Sequence, residues 1–275
     1  MAAETTNRTR RFIKAWTGFV LVFLYVPILT VVVVSFVEKR YFSWPTSRFT
    51  TEWYADLLSS ITVHNLFWTS LTVAALVTLF SVILGVFGAL AFARYDWQGR
   101  KLFQKLILLP IFFPQAVLGL SLLLWFSALG ITTSWQTAVF AHMVWIVPIV
   151  TLIMAIQVYG FDPALEEAAF DLGAGRFTVF KEVTLPILAP GIITGGVFAF
   201  LLSWGNFALS LFSTGADQTI PEWLYSKMTS GYNPTVPALG TLTMAGAVVL
   251  ALVLYALFLV FRKRQRRAAQ VIEDT

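Results

Sequence analysis

Long apolar runs alternate with short polar segments along this chain. Each of six runs has 21 to 28 residues and contains no Asp, Glu, Lys or Arg. About 20 apolar residues are enough for a helix to cross the hydrocarbon core of a membrane, whereas a β-barrel would show shorter, alternating segments. The pattern therefore predicts an all-α, polytopic membrane protein with six transmembrane helices, at residues 16–36, 66–93, 106–129, 137–159, 187–212 and 236–261.

Composition supports this class. Apolar residues make up 58% of the 275 residues, charged residues 12%, and the mean hydropathy is +0.77. Soluble domains have about 25% charged residues, so this chain lacks the polar surface that such a domain needs. No internal repeat or low-complexity linker divides the sequence, and we expect a single transmembrane domain over residues 1–275.

The basic residues are distributed unevenly between the polar segments. Fifteen of the 19 Lys and Arg residues lie before the first run, after the second, after the fourth or after the last, and four lie in the other segments. The positive-inside rule then places both termini in the cytoplasm. The net charge of +5 is thus a signal of membrane topology, and we expect no nucleic acid partner.

Signatures of enzymes, metal sites and ion-coupled carriers are missing from the sequence. "GAGRFTVFK" does not satisfy the phosphate-loop pattern, there is no Cys, and the two His residues form no metal-ligand spacing. Ser203 and His142 are present, but nothing in the sequence places them together. Ion-coupled transport usually needs ionisable groups inside the membrane, and the six runs have none.

The most polar segment, residues 162–186, carries helix and turn signals. Asp162 and the proline after it can begin a helix, helix formers follow, and Gly173 permits a turn. We expect a second helical piece next, and we expect Pro186 and Pro190 to prevent regular continuation into the fifth run. These residues alone leave two possibilities open, a surface that docks another protein and a cytoplasmic loop that folds back on the membrane.

This segment resembles the EAA motif of ATP-binding cassette (ABC) importer permeases, E-A-A-x3-G-x9-I-x-L-P. Its residues here are Glu167-Ala168-Ala169, Gly173 and Val183-Thr184-Leu185-Pro186, with Val in the place of Ile. The six runs, the position of the segment and "FTTEWYADLL" before the second run resemble the same family. The resemblance is strongest to the second permease of spermidine/putrescine-type importers.

The resemblance implies a type I ABC importer permease fold in the cell (inner) membrane. It also implies a permease subunit of an ATP-driven, binding-protein-dependent importer that works by alternating access. Expected partners are an ABC ATPase dimer at the cytoplasmic side, a second permease subunit, an extracytoplasmic solute-binding protein and the lipid bilayer. ATP and Mg²⁺ would bind the ATPase, so the chain would hold no cofactor and would not be an enzyme. The implied ATPase-coupling residues are Glu167, Ala168, Ala169, Asp171, Gly173, Phe177, Leu185 and Pro186.

Polar residues interrupt the fifth run at "SWGNFALS", and this predicts part of the translocation pathway. Trp204 and Asn206 lie about 200° apart on a regular helix, so either Gly205 loosens the helix or only one of them meets the solute. We expect Asn206 to be the polar contact and Trp204 a gate or rim residue. Helix packing is the alternative, and we favour it for Ser210. Further pathway candidates are Ser203, His142 and Gln115.

The solute itself is only broadly indicated. Polyamine importers of the resembled family carry acidic residues in this part of the fifth span, where this chain has Gly205 and Asn206. The expected solute is small and polar, in the range of polyamine-like, amine, amino-acid-like, opine or phosphonate compounds. The alternative function is an ion-coupled secondary transporter or channel subunit working without an ATPase.

Overall fold

The structure is a computed structural model that describes residues 7–39, 48–231 and 233–273. Within these ranges the backbone is mainly helical and contains no β-strand, apart from an isolated bridge between Val37 and Phe49. The helices in chain order are α1 Asn7–Val34, α2 Glu52–Ser59, α3 Ile61–Ala89, α4 Arg100–Leu106, α5 Leu109–Phe112, α6 Gln115–Ala128, α7 Trp135–Tyr159, α8 Ala164–Asp171, α9 Arg176–Val179, α10 Leu185–Trp204, α11 Ser210–Ser213, α12 Ile220–Ser230 and α13 Thr235–Glu273.

Five helical stretches in the described residues are long and apolar enough to cross a membrane. A bent pair of helices adds a sixth if the two count as one span. The predicted all-α, polytopic architecture is therefore confirmed. The five stretches are Asn7–Val34, Ile61–Arg94, Trp135–Tyr159, Arg176–Trp204 and Thr235–Val253, and the pair is Arg100–Phe112 with Gln115–Ala128.

The chain divides into two compact units. The first comprises the described residues up to Val63 together with Leu224–Gly246, and the second comprises His64–Trp223 with the described residues from Ala247 onward. The predicted single domain over 1–275 includes residues outside the described ranges and stays a prediction. The polar segment at residues 162–186, here called the coupling segment, lies in the second unit together with the pathway candidates.

In the first unit, α2 is tied to the chain that follows α1. The indole Nε1 of Trp53 donates to the carbonyl of Val37 at 2.9 Å, and the hydroxyls of Tyr54 and Ser35 are 2.5 Å apart. Leu57 is buried, while Leu58 remains exposed. The stretch "FTTEWYADLLSS" thus contains a short helix that packs against protein through only part of its apolar side chains.

Close helix packing in the second unit depends on glycine. A Cβ atom added at Gly85 of α3 or at Gly195 of α10 would lie 2.7 Å or 3.1 Å from the Cγ1 of Val150 in α7. A Cβ at Gly191 would lie 2.7 Å from the Cγ of Gln157, also in α7. Glycines spaced by four residues let membrane helices approach closely, and here they bring α3 and α10 against α7.

The third apolar run is not one straight helix. It was expected to be uninterrupted over 106–129, but the chain bends by 102° between the helices that end at Phe112 and begin at Gln115. Phe113 is extended, with φ −81° and ψ 136°, as is Pro114 with φ −55° and ψ 129°. Proline lacks an N–H and pushes the residue before it out of the helical region. The bend therefore follows from Pro114.

The fifth run differs from expectation at both ends. Helical structure is continuous from Arg176 to Trp204 through a π-helical turn at Phe180–Thr184. Pro186 lies in the first turn of α10, where its missing N–H costs little, and α10 continues through Pro190. The prediction that these prolines prevent regular continuation is therefore wrong. At the other end the helix stops at Trp204, short of the predicted residue 212.

Candidate functional site

The coupling segment forms the predicted helix–turn–helix. Asp162 lies two residues before α8, and its Oδ1 accepts a hydrogen bond of 3.0 Å from the backbone N–H of Ala164, the first residue of the helix. Gly173 has φ +84°, a conformation that other residues rarely adopt. Gly175 then precedes α9 in an extended conformation. The turn therefore requires glycine at position 173 and not at 175.

Most of the implied ATPase-coupling side chains face away from the rest of the chain. The most exposed apolar side chains of the segment are Leu172, with 90% of its surface accessible, and Phe177 with 77%. Half-buried members of the implied set are Ala169, Leu185 and Pro186, and exposed members are Glu167, Ala168, Asp171, Gly173 and Phe177. Acidic and apolar side chains are thus presented together along α8, the turn after it and the start of α9.

Glu166, which was not predicted as a site residue, points toward the rest of the chain. Its carboxylate accepts from the Nη2 of Arg94 at 2.5 Å and from the Oγ1 of Thr184 at 2.5 Å. The guanidinium carbon of Arg94 also lies 4.9 Å above the centre of the Phe161 ring. The two adjacent glutamates therefore differ, since Glu166 bonds to residues just after α3 and just before α10 while Glu167 remains exposed.

The predicted pathway residues surround a break in the fifth span. Gly205 ends α10 with φ −94° and ψ 6°, and the next helix begins at Ser210. Asn206 is buried in this break, where its Oδ1 accepts from the backbone N–H of Leu209 at 3.0 Å and its carbonyl accepts from the Ser210 hydroxyl at 2.7 Å. The helix is thus interrupted at Gly205. This is the first of the two alternatives expected from the sequence, in which Gly205 loosens the helix.

His142 of α7 joins the two sides of this break. Its Nδ1 lies 2.9 Å from the Oγ of Ser203, and its Nε2 lies 3.0 Å from the Oγ of Ser210. A hydroxyl has one proton, and Ser210 donates its proton to the Asn206 carbonyl. The tautomer that matches this arrangement has its proton on Nε2, which donates to Ser210, while Nδ1 accepts from Ser203. We call His142, Ser203, Asn206 and Ser210 the break cluster.

The other two pathway candidates lie outside the break cluster. Trp204 is half-buried in an aromatic group, with its ring centre 6.0 Å from that of Phe67 and 5.7 Å from that of Phe200. Gln115 is half-buried at the start of α6 and makes no hydrogen bond to the break cluster. Ser210, for which helix packing was favoured from the sequence, is buried and hydrogen-bonded within the cluster, and its packing role stays a prediction.

The Ser–His contact does not form a hydrolase triad. In such a triad the second nitrogen of the histidine ring bonds to a carboxylate that orients it. Here that nitrogen bonds to a second serine, and within the described residues no carboxylate hydrogen-bonds to the ring. The geometry supports a hydrogen-bonded connection between α7, α10 and α11.

Comparison with known families decides the class of this chain. A family model described as "Binding-protein-dependent transport system inner membrane component" matches residues 81–268, which is more than half of the chain. The chain belongs to this family. It is a permease subunit of an ABC importer and a multi-pass inner membrane protein, as the resemblance of its EAA segment predicted.

Individual permeases of this family are similar over most of the chain. The spermidine/putrescine transport system permease protein PotC of Escherichia coli is 32% identical over 84% of this chain and 87% of its own length. The putrescine transport system permease protein PotI of the same organism is 32% identical over 90% of each chain. The molybdenum transport system permease protein ModB is 33% identical over 78% of this chain and 97% of its own length.

Solved importers share the permease fold. A bacterial ABC transporter involved in alginate import matches 92% of this chain and 94% of its own, with a TM-score of 0.71 and 17% identity. The MetNI methionine ABC transporter matches 74% of this chain and 98% of its own, with a TM-score of 0.57 and 17% identity. These matches confirm the importer permease fold predicted for the chain.

Proposed function

We propose that this permease subunit takes up a small polar solute, powered by a separate ABC ATPase that docks on the segment from α8 to α9. ATP and Mg²⁺ bind that ATPase. The docking face consists of the exposed residues Glu167, Ala168, Asp171 and Phe177, with Leu172 beside them. Closure of the ATPase dimer moves this face and switches the spans between inward-open and outward-open states.

One observation carries the proposal. The segment exposes 90% of the surface of Leu172, which lies between candidate spans, and 77% of the surface of Phe177, which lies at the very start of the candidate span Arg176–Trp204. Exposed apolar side chains next to acidic ones are typical of protein contact surfaces. The positive φ of Gly173 fixes the turn between the two helical pieces, so the face has a defined shape. Its position in the EAA motif supports an ATPase as the occupant.

The break cluster is our proposed contribution of this chain to the solute path. Helix breaks inside a membrane protein are tolerated where they are buried in protein or line a cavity. Asn206 has its Oδ1 occupied by the Leu209 N–H, which leaves its NH₂ group as the donor for a solute. Trp204 serves as a rim residue. A second permease subunit supplies the other half of the path, and an extracytoplasmic binding protein delivers the solute.

The solute class follows from charge and from the relatives. The six apolar runs contain no acidic residue, so this chain offers a polycation no carboxylate inside the membrane. The similar permeases are named for spermidine, putrescine and molybdenum. We therefore propose a polyamine-like, amine, amino-acid-like, opine or phosphonate solute. Binding of putrescine, spermidine, a neutral amino acid, an opine and a phosphonate by the partner binding protein, measured by calorimetry, identifies the class.

Co-purification tests the proposed docking face. The tagged chain, extracted from native membranes, should bring down an ATPase identified by mass spectrometry, and Glu167→Ala or Gly173→Asp should release it or uncouple its hydrolysis from uptake. Glu52→Ala, at an exposed acidic position in α2, is the matched control and should have no effect. Uptake by the chain alone, driven by an ion gradient, would contradict the proposal and favour a secondary transporter or channel subunit.

A further inference from the structure

The Glu166 carboxylate connects three parts of the chain that are distant in sequence. One oxygen accepts from Arg94, at the end of the helical stretch that begins with α3, and the other accepts from Thr184, just before α10. Glu166 itself lies in α8, which follows α7. Side chains from the ends of the second and fifth spans thus converge on the segment that leaves the fourth.

Both partners of Glu166 occupy the same local structure. Arg94 is the last residue of a π-helical turn, Leu90–Arg94, and Thr184 is the last residue of another, Phe180–Thr184. A π turn inserts one residue into a helix and redirects the side chains that follow, and such turns occur frequently at functional sites. The carbonyl of Phe92 in the first turn accepts from Arg100 and Gln104, which stabilises the altered backbone.

The ion pair between Arg94 and Glu166 should contribute more to stability than a surface pair, because it is largely shielded from solvent. The side chains of Arg94 and Glu166 are each only 15% exposed. Breaking a pair of this kind leaves a partly buried charge without a partner, which is costly. The pair between Lys181 and Glu182 on the same segment is 64% and 63% exposed, with 3.3 Å between its charged atoms, and exposed pairs contribute little. The Lys181–Glu182 pair is therefore a matched control for the Arg94–Glu166 pair.

We propose that Glu166, Arg94 and Thr184 form a latch that makes α8 move as one body with the adjoining ends of α3 and α10. This inference rests on the proposed function, because it assigns to the latch the transmission of ATPase movement from the docking face to the spans. Glu166 acts as a positioning residue. Short connections at residues 160–163 and 172–175 join α8 to α7 and α9. Among the hydrogen bonds of the described residues, the one from Arg94 to Glu166 connects α8 to the π turn that follows α3.

The experiment measures how much ATP binding by the ATPase changes the accessibility of the break cluster from outside. The wild-type chain has no cysteine, so Asn206→Cys provides a single reporter in the break cluster for an impermeant maleimide. The complex with its ATPase is reconstituted, and labelling from outside is compared with and without ATP and vanadate. Into this background we introduce Glu166→Gln, Thr184→Val, the charge exchange Arg94→Glu with Glu166→Arg, and the control Glu182→Gln.

The latch predicts a specific separation of effects. Glu166→Gln should leave the ATPase bound and hydrolysing ATP, while the ATP-dependent change in labelling falls by about tenfold, within the usual range for energetic coupling between sites. The charge exchange should restore most of the change, and Glu182→Gln should not alter it. Thr184→Val keeps the side-chain size and removes the hydrogen bond to Glu166, so the ATP-dependent change in labelling should fall by less. If Glu166→Gln does not assemble with the ATPase, the Thr184→Val result alone tests the latch.

Two results would overturn the inference. One is a wild-type response to ATP in both Glu166→Gln and Thr184→Val. The other is a charge exchange that responds no better than Glu166→Gln at equal amounts of assembled complex. A wild-type chain that binds no ATPase would contradict the proposed function as well, whereas normal responses in the latch variants contradict only the latch.

Discussion

Removal of His142 should weaken the second unit by a measurable amount. The side chain is fully buried and donates or accepts one hydrogen bond on each side of the break in the fifth span. His142→Ala deletes both bonds and leaves the Ser203 hydroxyl without its acceptor. It also removes one of the hydrogen bonds between α7 and α11, because Ser210 loses the Nε2–H donor. The bond of 2.6 Å from the Thr137 hydroxyl to the Ser213 carbonyl remains.

The size of the effect follows from the number of bonds. Hydrogen bonds between side chains of membrane helices contribute about 0.6 kcal/mol on average and up to about 1.7 kcal/mol. Two such bonds at 2.9 and 3.0 Å should therefore contribute about 1–3 kcal/mol. For a chain of this size about 1 kcal/mol changes the melting temperature by about 2–4 °C. A loss of about 2 kcal/mol should thus lower it by about 4–8 °C.

Thermal unfolding in detergent, followed by tryptophan fluorescence, measures this loss. His64→Ala is the matched control, because His64 is exposed and should leave the melting temperature unchanged. His142→Gln can donate to Ser210 again and should recover about half of the loss, since one of two bonds returns. A double-mutant cycle with Ser210→Ala should give a non-zero coupling energy. Equal melting temperatures for wild type and His142→Ala would refute the hydrogen-bonded connection.

Three further predictions concern packing, selectivity and topology. Gly85→Ala should destabilise the chain by about 1–3 kcal/mol, because the added Cβ would lie 2.7 Å from the Cγ1 of Val150. In the same melting assay Gly196→Ala should be neutral or stabilising, because its Cβ would lie 3.5 Å from the Cγ2 of Val82. Asn206→Asp should raise uptake of radiolabelled putrescine relative to the native solute, since a carboxylate in a poorly hydrated path favours cations; unchanged selectivity would assign Asn206 to packing. In sealed cells, cysteine at Thr229 should react with an external impermeant maleimide and cysteine at Gly175 should not, and the opposite pattern would reverse the orientation.

The main elements of the fold could be predicted because their signals are local. Apolar runs of 21 residues or more without a charge have few alternatives to membrane helices. The EAA spacing and the helix-start signal at Asp162 likewise lie within one short segment. The bend at Pro114 could have been predicted, since proline directly affects the residue before it. It was missed because the apolar run continues on both sides of the proline.

The contacts of the site depend on tertiary packing and could not be predicted. Glu166 and Arg94 are 72 residues apart, and His142 and Ser210 are 68 apart. The EAA motif singles out Glu167, but nothing in the sequence shows that Glu166 is the internal side chain, because the rotation of α8 decides which of the two is internal and which is exposed. The π turns that direct Arg94 and Thr184 have no recognisable residue pattern either.

The most direct test of the account is photo-crosslinking from the docking face. Phe177 is replaced by p-benzoylphenylalanine, which keeps an aromatic ring at a 77% exposed position, and the intact complex is irradiated in native membranes. We predict a covalent adduct whose partner is identified by mass spectrometry as an ATPase with a phosphate-binding loop. The same residue at Phe198, 50% exposed on α10, should give no such adduct. Absence of an ATPase adduct at position 177 in membranes that remain competent for ATP-driven uptake would contradict the account.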